Sequence, residues 1–327
     1  MTKIPTGDII ARSYGFAFGN FFGNLGIVWL PLLLAMTGLY FFIVPYIHAI
    51  ALLFQNLPQK GDANGLPPDF VAAMQSLSRY AAIVIVGGLF LRAVTMLGVT
   101  QEALGTRKGW PFVYFAIGKD VWRLFGAYFI FYVLMQIAVF VIVFVVVILA
   151  AIVAGVVAVA TGGHLAHNPT TGTLIGLGIF AAMIVLYGAI FWFLLRLGFL
   201  LTPVVVAEKK IDIARIWNLS KGNVWRMFLV CVAVFLPIFL VYFAILLVTV
   251  LHAVIPVFAP LSHNASPKDI GAHLEIFFNV MRGAWFIVLP ALAIFATLFY
   301  GMAAGAMVFT YRALVPPPVD ASVSQAG

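Results

Sequence analysis

The chain has 327 residues, 64% of them hydrophobic and only 9% charged, with a formal net charge of +8 and a mean hydropathy of +1.14. Soluble domains carry about 25% charged residues, so a soluble fold of this size is excluded and lipid is the expected solvent. The basic residues are too few and scattered for a nucleic-acid groove, and the single cysteine, Cys231, excludes an intrachain disulfide or a multi-cysteine metal site.

The opening stretch MTKIPTGDIIARSYGFAFGNFF places Asp8 and Arg12 among aromatics. It lacks the continuous apolar core of a secretory signal, and no cleavable leader is expected. Beyond it, six apolar stretches reach the roughly 20 residues a spanning helix needs: about 25–54, 80–101, 124–160, 174–206, 227–258 and 284–311. They are continuously apolar, without the alternation of barrel strands, so helices are predicted. At about 1.5 Å per residue the third would reach about 55 Å, against a hydrocarbon core of about 30 Å. It is expected to tilt, protrude or break near Gly155. Pro237 and Pro256 predict a kink or early end in the fifth. The polar, Pro-rich residues 316–327 are expected to form a disordered tail.

Charge sets the orientation. Twelve Lys and Arg, among them Lys119, Arg123, Lys221 and Arg226, fall on one face, and four (Lys60, Arg79, Lys268 and Arg282) on the other. This predicts both termini in the cytoplasm, as in a multi-pass protein of a bacterial inner membrane.

The motif GKDVWRLF (118–125) returns as KGNVWRMF (221–228), each opening an apolar run. Before each lies a span with an embedded arginine: Arg92 precedes Trp122 by 30 residues and Arg196 precedes Trp225 by 29. The N-terminus offers a degenerate copy, with Gly19 and Asn20 in the places of Gly222 and Asn223. The predicted fold is all-α: six spans in three parallel two-span repeats, about 1–104, 105–208 and 209–315, each led by an interfacial amphipathic helix and all within a single transmembrane domain 1–315. Parallel orientation follows because each unit holds two spans. In KIDIARIWNLSKGNVW the apolar residues recur at helical spacing among Lys210, Asp212, Arg215 and Lys221, which predicts a lipid-facing stripe with basic residues at headgroups. Gly222 is expected to let the chain turn into the membrane. Trp122 and Trp225 belong at headgroup depth, with Arg123 and Arg226 beside anionic phosphates.

Arg92 and Arg196 are the leading functional candidates. Each lies ten or more residues from the charged inner end of its helix, which by rise alone is about 15–18 Å deep. A mid-bilayer arginine costs about 2.5–3.5 kcal/mol. No acid lies within a span, and Glu102 and Glu208 are not at the spacing of an intrahelical pair. A wet cavity, carbonyl partners or an anionic ligand must compensate. The histidines His48, His164, His167, His252, His263 and His273 cluster toward the outer face, but zinc wants three or four converging ligands, so no metal or other cofactor is expected. Catalytic motifs such as HExxH, GxSxG and a phosphate-binding Gly-rich loop are missing, and no enzymatic activity is expected. Gly301 and Gly305 form a GxxxG pair suited to close helix packing.

The two tryptophan–arginine motifs and the six-span layout resemble a family of bacterial multipass membrane proteins. It includes the membrane domain attached to some glycerophosphodiester phosphodiesterases and related stand-alone inner-membrane proteins. The resemblance implies a location and a link to phospholipid or envelope biology; no appended hydrolase domain is expected, and the family's phosphodiesterase reaction is not carried over. The expected function is to bind, organise or transport anionic lipid or a similar amphiphile, with Arg92 and Arg196 facing the ligand and Lys119, Trp122, Arg123, Lys221, Trp225 and Arg226 at the headgroups. Alternatives are a scaffold or assembly factor for another membrane protein or a further copy of the chain, and a solute channel or transporter. A solute path is poorly supplied, since the notable polar residues in spans are Thr95, Gln136 and Thr297.

Overall fold

Long apolar runs must close their backbone hydrogen bonds internally when no water is at hand, and helices do so. The computed structural model describes residues 3–55, 68–107, 114–115, 117–160, 169–258 and 267–315, and among these every regular element is helical. In order they are α1 (Thr6–Gly19), α2 (Phe21–Gln55), α3 (Pro68–Ala103), α4 (Lys119–Ala160), α5 (Pro169–Phe193), a π-helical turn (Leu194–Gly198), α6 (Phe199–Glu208), α7 (Ile213–Ser220), α8 (Val224–Phe258) and α9 (Pro267–Leu314). Six helical stretches among the described residues are long and apolar enough to cross a bilayer, which makes this an all-α, multi-pass membrane protein.

Several expectations are corrected. α4 does not break at Gly155, which leaves tilt or protrusion to absorb its length, and α8 does not end at Pro237 or Pro256 but continues to Phe258. The fourth apolar stretch is not one α-helix: the π-turn interrupts it at Leu194–Gly198, a few residues before Pro203. Residues 108–113 and 116, where an amphipathic helix was expected to lead α4, lie outside the described residues, as do the His164/His167 loop and the 316–327 tail.

Burial is uneven along the helices. The core gathers at the end where the basic residues lie, from Ala93–Val99 of α3, Leu200–Val205 of α6 and Met302–Val308 of α9. The other ends of α4 and α8 present Phe140, Val147, Phe243 and Val248 outward, as apolar surface in lipid does. Two short helices complete the core. α1 packs on α8 and α9, burying Ile9, Ser13, Phe16 and Ala17. The GxxxG pair is used here: a Cβ on Gly301 would stand 3.2 Å from the Ala17 Cα, and one on Gly305 3.1 Å from the Ser13 Cα. α7 folds back along α6 to the π-turn, and Ile216 is fully buried. Part of the apolar face of α7 therefore packs on protein, where α4 and α6 offer Ala127, Phe131 and Leu201 in one apolar seam, while Ile211 and Ile213 remain exposed. Gly222 adopts φ +77°, the left-handed conformation that turns the chain from α7 into α8.

Candidate functional site: a crevice around Arg92

A half-open crevice of about 420 Å³ lies between α3, α4, the π-turn, α6 and α8. Its walls are mainly Phe, Leu and Met, and Arg92 is the only charged residue lining it among those described. A larger groove of about 710 Å³ between α2 and α3 holds no charged group, and its walls include Gly38, Gly87 and Gly88. It offers packing surface without chemistry.

Arg92 projects from α3 with its Cζ 5.4 Å from the centroid of the Tyr128 ring, a cation–π distance. The guanidinium has no ion pair or hydrogen bond among the described residues, and the side chain is exposed. The Tyr128 hydroxyl pairs with Thr202 Oγ1 at 2.8 Å, tying α4 to α6 beside the arginine. Tyr132 and Cys231 supply the other polar side-chain atoms of the wall. Tyr128 and Thr202 were not singled out from sequence. Each is one hydroxyl in an apolar run, and only the fold brings them together.

Arg196 is held elsewhere. It lies on the π-turn, its Cζ 3.3 Å from the centroid of the Trp217 ring of α7 and 5.0 Å from that of Trp192. The two indoles meet edge to face at 5.9 Å, and the Arg196 Nε is buried with no hydrogen-bond partner among the described residues. Its neighbours Leu194, Leu195 and Gly198 line the crevice while its own side chain turns to α7. The two arginines therefore occupy different surroundings and do not converge.

Ring contacts relate the two arginines to the neighbouring helices. Phe90, two positions before Arg92, packs against Trp122 at 5.3 Å, and Trp122 is only three positions into α4. Phe191, five positions before Arg196, meets Phe228 near the start of α8 at 5.9 Å. The Arg92 backbone is thus close to Trp122, but its guanidinium reaches the Tyr128 ring, nine positions into α4, and stands further in than the level where α4 and α8 begin, among Lys119, Arg123, Lys221 and Arg226. The inner ends of α3 and α6 project beyond that level into the packed core.

The remaining candidates form a collar at this level. Trp122 and Trp225 are 55% and 78% exposed, a wide display for indoles, and Lys119 and Lys221 are exposed as well. Arg123 is paired with Asp120 at 2.9 Å, and Arg226 Nη1 donates to the Ile4 carbonyl at 3.2 Å. The acids beyond the collar are engaged: Glu102 with Arg107 at 3.2 Å and Glu208 with Arg215 at 3.3 Å. Tyr114, whose ring lies 5.7 Å below the Arg107 guanidinium, has its hydroxyl pKa raised by burial. Thr95 and Thr297 turn their hydroxyls back to carbonyls of their own helices, and Gln136 is exposed on α4. His273 Nδ1 lies 2.8 Å from the Asp269 carbonyl oxygen, and the side chains of the other five histidines are outside the described residues. No cluster of three metal-ligating side chains occurs among the described residues.

The architecture is that of a multi-pass helical membrane protein, and its described residues form a charged, aromatic-walled crevice. Comparisons with protein-family profiles, with curated protein sequences and with solved structures find no match.

Proposed function

We propose that the protein binds, and organises or moves, an anionic lipid or similar amphiphile, acting by binding rather than by covalent chemistry. The carrying observation is Arg92: a guanidinium without an acid or hydrogen-bond partner among the described residues, set in an apolar crevice of ligand size. An anionic headgroup supplies what the arginine lacks, and its chain suits the Phe, Leu and Met walls. With the Trp122 and Trp225 collar placed at the cytoplasmic surface of a bacterial inner membrane and both termini inside, the Arg92 guanidinium stands somewhat deeper, at Tyr128, and meets the phosphate of a lipid whose headgroup enters the crevice. The exposed Lys119 and Lys221 attract the same lipids.

The three-unit reading is part of this proposal. In its support, Phe125 and Phe228, which match under the repeat, each meet a phenylalanine of the preceding span edge-on at 5.9 Å, Phe90 and Phe191, and each of α3 and α6 has a glutamate near its end paired with an arginine further along the chain. The glycine-lined groove between α2 and α3 favours a second reading, a scaffold for another membrane protein. Native mass spectrometry of the protein released from lipid tests the first. Anionic lipid should be retained by wild type and by Arg196→Met but lost from Arg92→Ala. Equal retention by Arg92→Ala removes the proposal, and a stoichiometric protein partner in mild detergent would support the scaffold.

A further inference from the structure

The charge balance of the crevice narrows the ligand class, on the premise that Arg92 marks the binding site. We infer that the site selects amphiphiles carrying one negative charge, a phosphodiester in particular, over phosphomonoesters carrying two. Among the described lining residues Arg92 is the sole charge. The polar side chains that line the crevice with it are neutral: Tyr128 and Tyr132 of α4, Thr202 of α6 and Cys231 of α8. Arg196, whose neighbours Leu194, Leu195 and Gly198 also line the crevice, is itself held against Trp217 and Trp192.

A monoanion and Arg92 form a neutral pair that the apolar walls accept. A second negative charge enters with no counter-charge, and in surroundings of low dielectric the desolvation of an unmatched ion outweighs its added attraction to a cation already paired. The guanidinium fork also matches two oxygens of one phosphodiester, the pairing a bidentate arginine makes best. Tyr128 steadies that fork from below through its ring while Thr202 holds its hydroxyl, so the arginine is positioned before ligand arrives.

The test uses the full-length protein in nanodiscs with three lipids of identical chains: phosphatidylglycerol (phosphodiester), phosphatidate (phosphomonoester) and phosphatidylcholine (zwitterionic). Retention is read by native mass spectrometry after equilibration at pH 5 and pH 8. A phosphomonoester passes from one charge toward two across a second pKa of about 6. Phosphatidate retention relative to phosphatidylglycerol should fall by about tenfold from pH 5 to pH 8, while phosphatidylglycerol stays level. Met135→Lys, which adds a second cation to the wall, should restore phosphatidate at pH 8. Arg92→Lys should keep the preference for anions over phosphatidylcholine but weaken phosphatidylglycerol. Phosphatidate held as well at pH 8 as at pH 5 overturns the charge selection and leaves the anionic site standing. No preference for either anion over phosphatidylcholine in wild type overturns the site itself.

Discussion

The Tyr14 hydroxyl of α1 donates to the carbonyl of Ala233 in α8 at 2.9 Å, and that carbonyl is the one Pro237 deprives of its helical donor. Proline at position i has no N–H for the carbonyl at i−4, and a carbonyl left bare in an apolar setting is costly. A residue 219 positions away supplies the missing bond. Tyr14→Phe should therefore destabilise the protein by about 1–3 kcal/mol, the usual effect of stranding a buried polar group. In a Pro237→Ala background, where the backbone N–H returns, the same change should cost well under half as much. Thermal unfolding of the four variants in one detergent checks this, and an unchanged cost in the second background would separate Tyr14 from the proline.

The close approach of α1 to α9 makes a second prediction. Gly301→Ala and Gly305→Ala push a methyl against backbone atoms of Ala17 and Ser13, which cannot rotate away. Each should cost about 1–3 kcal/mol and release α1 to protease. Gly87→Ala meets nothing within 4 Å and should be neutral or slightly stabilising. Limited proteolysis with N-terminal sequencing reads the release of α1, and equal behaviour of the three variants would refute it.

Hydropathy showed the helices because a spanning element writes its length directly into a run of apolar residues. It could not show which side of α7 faces protein. The Ile213, Ile216 and Trp217 stripe has the same period whether it meets lipid or α4, and only the fold buries Ile216. The offset between neighbouring helices was hidden for a related reason: α3 projects past the start of α4, as the Phe90–Trp122 contact shows, while the Arg92 guanidinium reaches Tyr128, nine positions into α4. Nothing local signals such an offset between neighbouring helices. The difference between Arg92 and Arg196 was equally hidden: their spacings to Trp122 and Trp225 match, while the π-turn carries Arg196 to α7. Gly222 at the turn and Gly301–Gly305 at a contact were legible, since each reports a backbone need that no other residue meets.

Asp212 begins α7, accepting from the Arg215 backbone N–H at 2.8 Å and pairing with Lys210 at 3.3 Å. The cap hydrogen bond, followed by Lys210 and Arg215, holds its carboxyl below the ordinary 3.8. A carboxylate depressed in the folded state contributes stability that is full above its unfolded value and is lost as pH falls through the lowered one. The protection of the Arg215 amide against exchange, relative to a free amide at the same pH, should therefore fall only when pH drops below about 3.8. Asp212→Asn keeps a competent cap and should abolish that acid dependence, whereas Asp212→Ala should expose the amide at every pH. Fast exchange at neutral pH in wild type would show the cap to be unformed.

The contact of Arg196 with Trp217 fastens α7 to the π-turn, and the same turn supplies Leu194, Leu195 and Gly198 to the crevice wall. A desolvated cation–π pair contributes about 2 kcal/mol, but the unpartnered Nε of Arg196 opposes it. The two effects have similar size, so Arg196→Met, which keeps the stem and removes the stranded donor, should alter stability by less than about 1 kcal/mol. Trp217→Ala differs: it strips an indole from between α7 and the turn and leaves the guanidinium with only the more distant Trp192 ring, at 5.0 Å. A loss of about 3–5 kcal/mol follows from the cavity alone, and α7 should become the first protease-sensitive segment. In the double variant the loss should be smaller than the sum of the two, by about 1–2 kcal/mol, because the stranded charge is gone with its partner. Strict additivity in thermal unfolding would mean that Arg196 and Trp217 are neighbours without being coupled, and that α7 is held by Ile216 alone.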